Sequence, residues 1–198
     1  MEFKEIKRGN LTITGDIDLL PAGVLVRLAD SFEELFPQIW ARFGQGDMPE
    51  IRYAIEGEYD GIAYTAGQKI GLNPRWLQKH PQDVDCMTHE LIHAAQRYPK
   101  YRPGWLVEGI ADYGRMVYGK YNDEAGWSLP PKYAGGNLKD GYRTAAAFLV
   151  YVEQTADPEI VDVCNRALQN ESYTDELFVE RTGKSIETLW QEYTESAE

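Results

Sequence analysis

The chain of 198 residues is poor in the side chains that build zinc knuckles and disulfide frameworks, with three histidines and two cysteines. Cys86 and Cys164 lie far apart and form no C-x-x-C pair. We therefore expect two unpaired, buried thiols and neither a zinc knuckle nor a redox motif. Long hydrophobic runs are also missing, because no segment approaches the roughly 20 apolar residues of a membrane-spanning helix. The sequence predicts no membrane span.

Positively charged residues are also few in comparison with acidic ones. The chain has 20 Lys and Arg against 32 Asp and Glu, a formal net charge of -12. Such a chain offers no electrostatic footprint for nucleic acid or anionic lipid. The opening "MEFKEIKRGN" has no apolar segment after its charges, so it does not read as a signal peptide. A secreted protein from which the signal had been removed would look the same.

The order of sequence patterns predicts one α+β domain over residues 1–198, without repeats or long linkers. Apolar residues recur every three or four positions from Leu20 to Phe43, which predicts a helix that Pro37 kinks or breaks near Phe36. A segment rich in Tyr, Ile and Gly follows and predicts the strands Ile51–Ile55, Gly61–Tyr64 and Lys69–Asn73. From Pro74 onward the predicted elements are helices: about Asp83–Tyr98, Gly104–Tyr118, Gly141–Thr155, and three more opened by Asp157, Thr174 and Ser185.

The segment His89-Glu90-Leu91-Ile92-His93 matches the H-E-x-x-H pattern of zinc hydrolases. On a helix, residues four apart lie one turn apart on the same face, so two imidazoles can bind one ion. Glu90 projects beside that face, where it can reach a water on the metal as a general base. By itself the pattern also fits an amphipathic helix with a polar stripe.

A pair of acidic residues later in the chain decides between these interpretations. A catalytic zinc needs three protein ligands and an open position. Glu108 and Asp112 follow His93 and again lie four residues apart, among apolar neighbours that predict a buried helix face. We expect Glu108 to be the third metal ligand and Asp112 to accept a hydrogen bond from the His89 imidazole. The reverse assignment, with Asp112 as the ligand, stays open.

The two motifs together resemble the gluzincin group of zinc metallopeptidases. More narrowly, "GWLVEGIADYGR", "DGIAY" and "GYRTAAAFLVYV...SYTDELFVERTGKSIETLWQEY" resemble the plant basic secretory protein family and its bacterial relatives, over about Leu20 to Tyr193. The resemblance implies a zincin-like fold, Zn²⁺ as cofactor and hydrolysis of peptide bonds, by an endopeptidase in our interpretation. Plant members are named for basicity, whereas this chain is acidic, a departure that concerns surface partners and cellular setting and not the site.

The resemblance also implies two further parts of the site. In gluzincin-type enzymes a tyrosine downstream of the third ligand commonly stabilises the oxyanion, and Tyr142, which opens a predicted helix, is our candidate. Tyr113 and Tyr133 are alternatives, and packing of Tyr142 in the core is the competing interpretation. His80, beside Pro81, is expected to be an exposed loop residue. The strand Lys69–Asn73 is expected to form the sheet edge above the metal, where Gly71 leaves room for an extended peptide.

Two other functions are compatible with the same residues. A catalytically silent zincin scaffold could bind peptide, glycan or cell-wall ligands, although the intact Glu90 disfavours it. A purely structural zinc would need four protein ligands, often thiolates, and neither cysteine has suitable spacing. The expected partner is a peptide or protein substrate, and a monomer is compatible with the sequence. Secretion or a periplasmic location follows from the family resemblance, with a cytoplasmic location left open.

Overall fold

The computed structural model describes residues 5–131 and 133–196, and these divide into two compact units. The first unit comprises the chain up to Arg97 together with Val117–Trp127. The second comprises Tyr98–Met116 and the chain from Ser128 onward. A single domain over 1–198 stays a prediction.

The first unit contains a five-stranded mixed sheet. The strands are β1 Glu5–Arg8, β2 Leu11–Gly15, β3 Ile51–Ile55, β4 Ala63–Ala66 and β5 Lys69–Leu72, in the order β1-β2-β3-β5-β4. β3 is parallel to both of its neighbours, whereas the outer strands β1 and β4 pair antiparallel. The predicted strand Ile51–Ile55 is confirmed, and the second predicted strand begins two residues later than expected. The sequence analysis missed β1 and β2.

Helices make up the rest of the regular structure of the described residues. The α-helices are α1 Val24–Phe43, α2 Pro74–Lys79, α3 Cys86–Gln96, α4 Gly104–Tyr118, α5 Asn122–Ala125, α6 Tyr142–Thr155, α7 Ile160–Gln169, α8 Glu176–Thr182 and α9 Ile186–Glu195, and two short 3₁₀ helices are Ile17–Leu19 and Leu138–Asp140. The predicted α+β class is confirmed, as is the helical second half. None of these helices is both long and apolar enough to cross a membrane.

Helix α1 continues through Pro37, so of the predicted kink or break near Phe36 the break is wrong. A proline within a helix removes one backbone hydrogen bond and crowds the carbonyl four residues earlier, here that of Glu33. Glu33 and Pro37 lie on the exposed face, where water can satisfy that carbonyl. The opposite face buries Phe32, Phe36 and other apolar residues, whose packing holds the helix together.

Helices α1 and α3 pack on one face of the sheet, and α3 contacts β4 and β5. Strand alternation directs apolar side chains to that face, and the largest are fully buried: Leu11, Ile13, Ile51, Tyr53, Ile55, Ile70 and Leu72. This packing places the helix that carries the H-E-x-x-H segment against the strand at the end of the sheet.

The second unit is helical, and within it α4 approaches α6 closely. A Cβ atom on Gly109 would lie 2.8 Å from Cβ of Ala145, so the two helices approach at van der Waals distance. Helix α6 also packs against α7 and α9. An aromatic cluster fills the space beside it: Trp105, Phe148, Phe178, Trp190 and Tyr193.

Candidate active site

His89 and His93 lie one turn apart on α3, and their Nε2 atoms are 3.1 Å apart. The backbone is regular through this segment because Leu91, Ile92, Ala94 and Ala95 are buried in the first unit. Two nitrogens that bind one tetrahedral zinc at about 2.0–2.1 Å lie about 3.3 Å apart. The spacing of the two imidazoles therefore fits a shared zinc ion.

Gln96 orients His93 from the next turn of the same helix. The side-chain oxygen of Gln96 lies 2.8 Å from Nδ1 of His93, and Gln96 is 1% exposed. Since an amide oxygen only accepts, Nδ1 carries the hydrogen and Nε2 keeps its lone pair for a metal. The sequence analysis missed Gln96, although a polar residue three positions after a ligand histidine was a usable signal.

Glu90 is held by a residue that the sequence analysis also missed. Its carboxylate is buried, and Oε2 accepts a hydrogen bond of 2.7 Å from Thr65 Oγ1. Thr65 lies on β4, far from Glu90 in the sequence, and no local spacing rule connects the two.

The edge strand that contacts α3 is β4, so the prediction that Lys69–Asn73 forms this edge is wrong. β5 pairs with β3 on one side and β4 on the other, because Gly67 allows a tight hairpin that folds β4 along it. Gly71 is not open to a peptide either, since a Cβ atom there would lie 2.1 Å from the ring of Tyr64.

The free edge of β4, which pairs with no further strand among the described residues, presents the main chain of two residues. Asn73 N donates to Ile62 O, and the register pairs Tyr64 with Gly71. In an antiparallel ladder alternate residues bond inward, so the N–H and C=O groups of Ala63 and Thr65 point away from β5. The carbonyl oxygen of Ala63 already accepts a hydrogen bond of 3.4 Å from the Tyr59 hydroxyl and has a second lone pair. An extended chain can pair with β4 through the outward N–H groups and the carbonyl oxygens that remain accessible.

The acidic pair of the second unit lies on α4. Glu108 is 8% exposed and Asp112 is 5% exposed, so both carboxylates are buried as predicted from their apolar neighbours. Among the described residues, His89, His93 and Glu108 each offer one potential ligand atom, and these atoms lie within 4.8 Å of one another. Two imidazoles and a carboxylate are a donor set that zinc accepts.

Tyr142 opens helix α6 and is 55% exposed, so core packing of its ring is wrong. Its φ of 46° is unusual for an aromatic residue. The preceding Gly141 lies against α4, because a Cβ atom there would be 3.5 Å from Cβ of Glu108. Tyr142 therefore follows directly on the residue that contacts Glu108.

The two alternative tyrosines use their hydroxyl hydrogens elsewhere. Tyr113 donates to Glu153 at 2.6 Å, and Tyr133 donates to the carbonyl oxygen of Gly136 at 2.7 Å. His80 is exposed after α2, as predicted.

The cysteines are both free and buried, as predicted. Burial raises the pKa of the Cys164 thiol, and the charge of Asp157 adds to the shift. A thiol in this environment is a poor nucleophile, because the thiolate is the reactive form.

Residues 25–193 match the family model described as peptidase of plants and bacteria. No curated protein matches the chain significantly.

Solved structures of similar fold are zinc metallopeptidases. One is a mutant of a two-domain M1 zinc metallopeptidase bound to L-tryptophan, at a TM-score of 0.56 and 13% identity over 98% of this chain. The M1 zinc metallopeptidase of Deinococcus radiodurans has a TM-score of 0.51 and 11% identity over 98% of this chain. The chain spans 51% of the length of each of these structures. At this identity the likeness concerns the fold, which is that of zincin-like metallopeptidases.

Proposed function

The chain belongs to the peptidase family of plants and bacteria, and from that premise we propose that it is a zinc-dependent peptidase, most simply an endopeptidase. The observation that carries the proposal is the grouping of His89, His93 and Glu108 within 4.8 Å. The buried Glu90, on the same helix as His89 and His93, supplies the general base that peptide hydrolysis needs.

The ligand set would consist of Nε2 of His89, Nε2 of His93 and a carboxylate oxygen of Glu108. Gln96 supports this assignment by fixing the tautomer of His93. In our proposal Asp112 accepts a hydrogen bond from the His89 ring and so orients that ligand. Zinc bound there would lower the pKa of its water toward about 7 and polarise the scissile carbonyl.

The remaining steps belong to side chains of the protein. Glu90 takes the proton of the attacking water and later gives it to the nitrogen of the leaving amine. Tyr142 donates its hydroxyl hydrogen to the oxyanion that develops on the carbonyl oxygen. Its exposure and its place after Gly141, beside Glu108, support this role.

The substrate would be an extended peptide paired with the free edge of β4. The outward main-chain groups of Ala63 and Thr65 would bind it. Main-chain pairing recognises an extended backbone of any sequence, so pockets for individual side chains would set the specificity.

One experiment tests both the metal and the reaction. Purified wild type and Glu90→Gln are analysed for zinc content and incubated with a casein substrate and a peptide library. We expect about one zinc per chain in both proteins. The rate of hydrolysis by Glu90→Gln should be about 10²- to 10⁴-fold lower than that of the wild type. If both proteins bind equal zinc and show equally little hydrolysis, the peptidase proposal is contradicted and a binding module is supported.

A chelator separates a catalytic metal from a structural one. A catalytic site predicts that chelation abolishes hydrolysis while the metal-free protein keeps its circular dichroism spectrum. Unfolding of the chain on chelation would contradict the catalytic assignment.

A further inference from the structure

We propose that Thr65 is a positioning residue for Glu90, which holds the carboxylate in the orientation that a general base needs. The proposal rests on the proposed peptidase function and adds a residue to its site. Thr65 does not match the H-E-x-x-H pattern or the acidic pair, and only the pairing of β4 with the sheet brings it to α3.

The hydroxyl of Thr65 has two acceptors, and both belong to Glu90. Thr65 Oγ1 lies 2.7 Å from Oε2 and 2.9 Å from the backbone oxygen of Glu90. One hydroxyl thus links the end of the glutamate side chain to its own main chain. A glutamate has three rotatable side-chain bonds, and this contact limits them to the conformers that keep Oε2 beside the strand.

The strand that carries Thr65 is held in place by its pairing with β5. In the register of the hairpin Thr65 faces Ile70, which is 0% exposed on the doubly paired strand β5. Strand alternation directs Thr65 toward α3 and its neighbour Tyr64 to the other face of the sheet, where the Tyr64 hydroxyl contacts Glu56. A donor on a paired strand is positioned more precisely than a donor on a loop.

The chemistry assigns a separate task to each oxygen of Glu90. Oε2 accepts the hydroxyl hydrogen of Thr65, which stays on threonine throughout. Oε1 takes the proton of water and returns it to the amine. Because the main chain of Thr65 also faces the free edge of β4, the residue that would pair with a substrate also fixes the base. Substrate and base are thereby held by one element.

Two substitutions at this position test the role. Thr65→Val removes the hydroxyl and keeps the shape, whereas Thr65→Ser keeps the hydroxyl. We expect kcat to fall about 10- to 100-fold in Thr65→Val, the loss that accompanies a misplaced catalytic group. KM and zinc content should stay within twofold of the wild type, and Thr65→Ser should recover most of kcat.

Thr14→Val is the matched control, because the Thr14 hydroxyl on β2 donates to the backbone oxygen of Tyr53 in the same sheet. Wild-type kcat is expected for this variant. Similar kcat losses in Thr65→Val and Thr14→Val, or in Thr65→Val and Thr65→Ser, would overturn the positioning role. A loss confined to KM or to zinc content would do the same.

A readout without substrate completes the test. In the metal-free protein, we compare the changes in unfolding midpoint caused by Thr65→Val, by Glu90→Ala and by both together. These changes should be non-additive, because the second substitution has no contact left to remove. Additive changes in the unfolding midpoint would overturn the Thr65–Glu90 contact, whether or not the protein is a peptidase. An inactive wild type would instead overturn the proposed peptidase, whereas active wild type and Thr65→Val with equal kcat would overturn the positioning role alone.

Discussion

The Nε2 atoms of His89 and His93 lie 3.1 Å apart across one turn of α3. Two imidazole nitrogens at this distance share at most one hydrogen, so the pair is arranged to accept a proton or a metal between them. In our proposal the shared group is zinc.

Loss of the Gln96 amide should weaken zinc binding without removing a ligand. Gln96→Leu deletes the acceptor that fixes the Nδ1–H tautomer of His93, and we expect zinc affinity to fall about 10- to 100-fold. Competition with a chromophoric chelator measures this change. Gln38→Leu, on the exposed face of α1, is the control and should bind zinc like the wild type. Unchanged affinity in Gln96→Leu would exclude the orienting role.

The two acids of α4 should differ in their effect on the metal. Glu108→Gln removes a proposed ligand, and we expect zinc affinity to fall more than about 100-fold. Asp112→Asn removes only an acceptor for a ligand imidazole, so a loss of about 10-fold is expected. Titration calorimetry compares both variants with the wild type. The opposite order would make Asp112 the ligand.

Tyr142→Phe should reduce turnover and leave binding intact. Loss of one oxyanion donor costs about 10²- to 10³-fold in kcat, with KM and zinc content little changed. Tyr133→Phe serves as the comparison, because the Tyr133 hydroxyl already donates to Gly136. Steady-state kinetics on one peptide substrate decides. A larger loss of kcat in Tyr133→Phe than in Tyr142→Phe would contradict the assignment.

The close approach of α4 and α6 should tolerate no added methyl group at Gly109. Gly109→Ala puts its Cβ 2.8 Å from Cβ of Ala145, and we expect the free energy of unfolding to fall by about 1–3 kcal/mol. Zinc affinity should fall as well, because Glu108 lies next to Gly109. Gly104→Ala is the control on the same helix, where the nearest atom lies at an ordinary 3.4 Å. Equal stability of the two variants in urea would contradict this packing.

Stability should also depend on pH through Asp157. Hydrogen bonds from the Arg181 guanidinium, at 2.6 and 2.9 Å, hold the pKa of the Asp157 carboxyl below its ordinary value. A carboxyl whose pKa is lowered by folding stabilises the fold above its unfolded pKa of about 3.9, and this contribution is lost as the pH falls through the folded pKa.

Asp157→Asn should therefore lower the free energy of unfolding by about 1–2 kcal/mol at pH 7. The difference from the wild type should shrink as the pH falls below about 4. Urea denaturation at both pH values measures it. Glu192→Gln breaks the exposed pair with Lys184 and should cost less than about 0.5 kcal/mol. A difference in Asp157→Asn that persists undiminished at low pH would contradict the ion pair.

The parts of the fold that depend on local patterns could be predicted from the sequence. Helix α4 has the predicted bounds, and Ser185 caps α9 as expected, because helical periodicity and capping are properties of neighbouring residues. The H-E-x-x-H segment lies on a helix for the same reason. Its flanks contain good helix formers and no glycine or proline.

Strand pairing could not be predicted in the same way. β1 and β2 are short and joined by Gly9 and Asn10, a two-residue turn with glycine at positive φ, and this dipeptide is the hairpin signal that the sequence contains. The identity of the edge strand depends on contacts between distant segments, and the sequence around Gly71 does not show that the ring of Tyr64 covers this glycine. The Thr65–Glu90 contact has the same non-local origin.

Anomalous diffraction at the zinc edge, from crystals of the zinc-loaded wild type, tests the central claim most directly. We expect one strong peak about 2.0–2.2 Å from Nε2 of His89, Nε2 of His93 and a carboxylate oxygen of Glu108. A peak bound to other residues, or no peak at these three groups, would contradict the account.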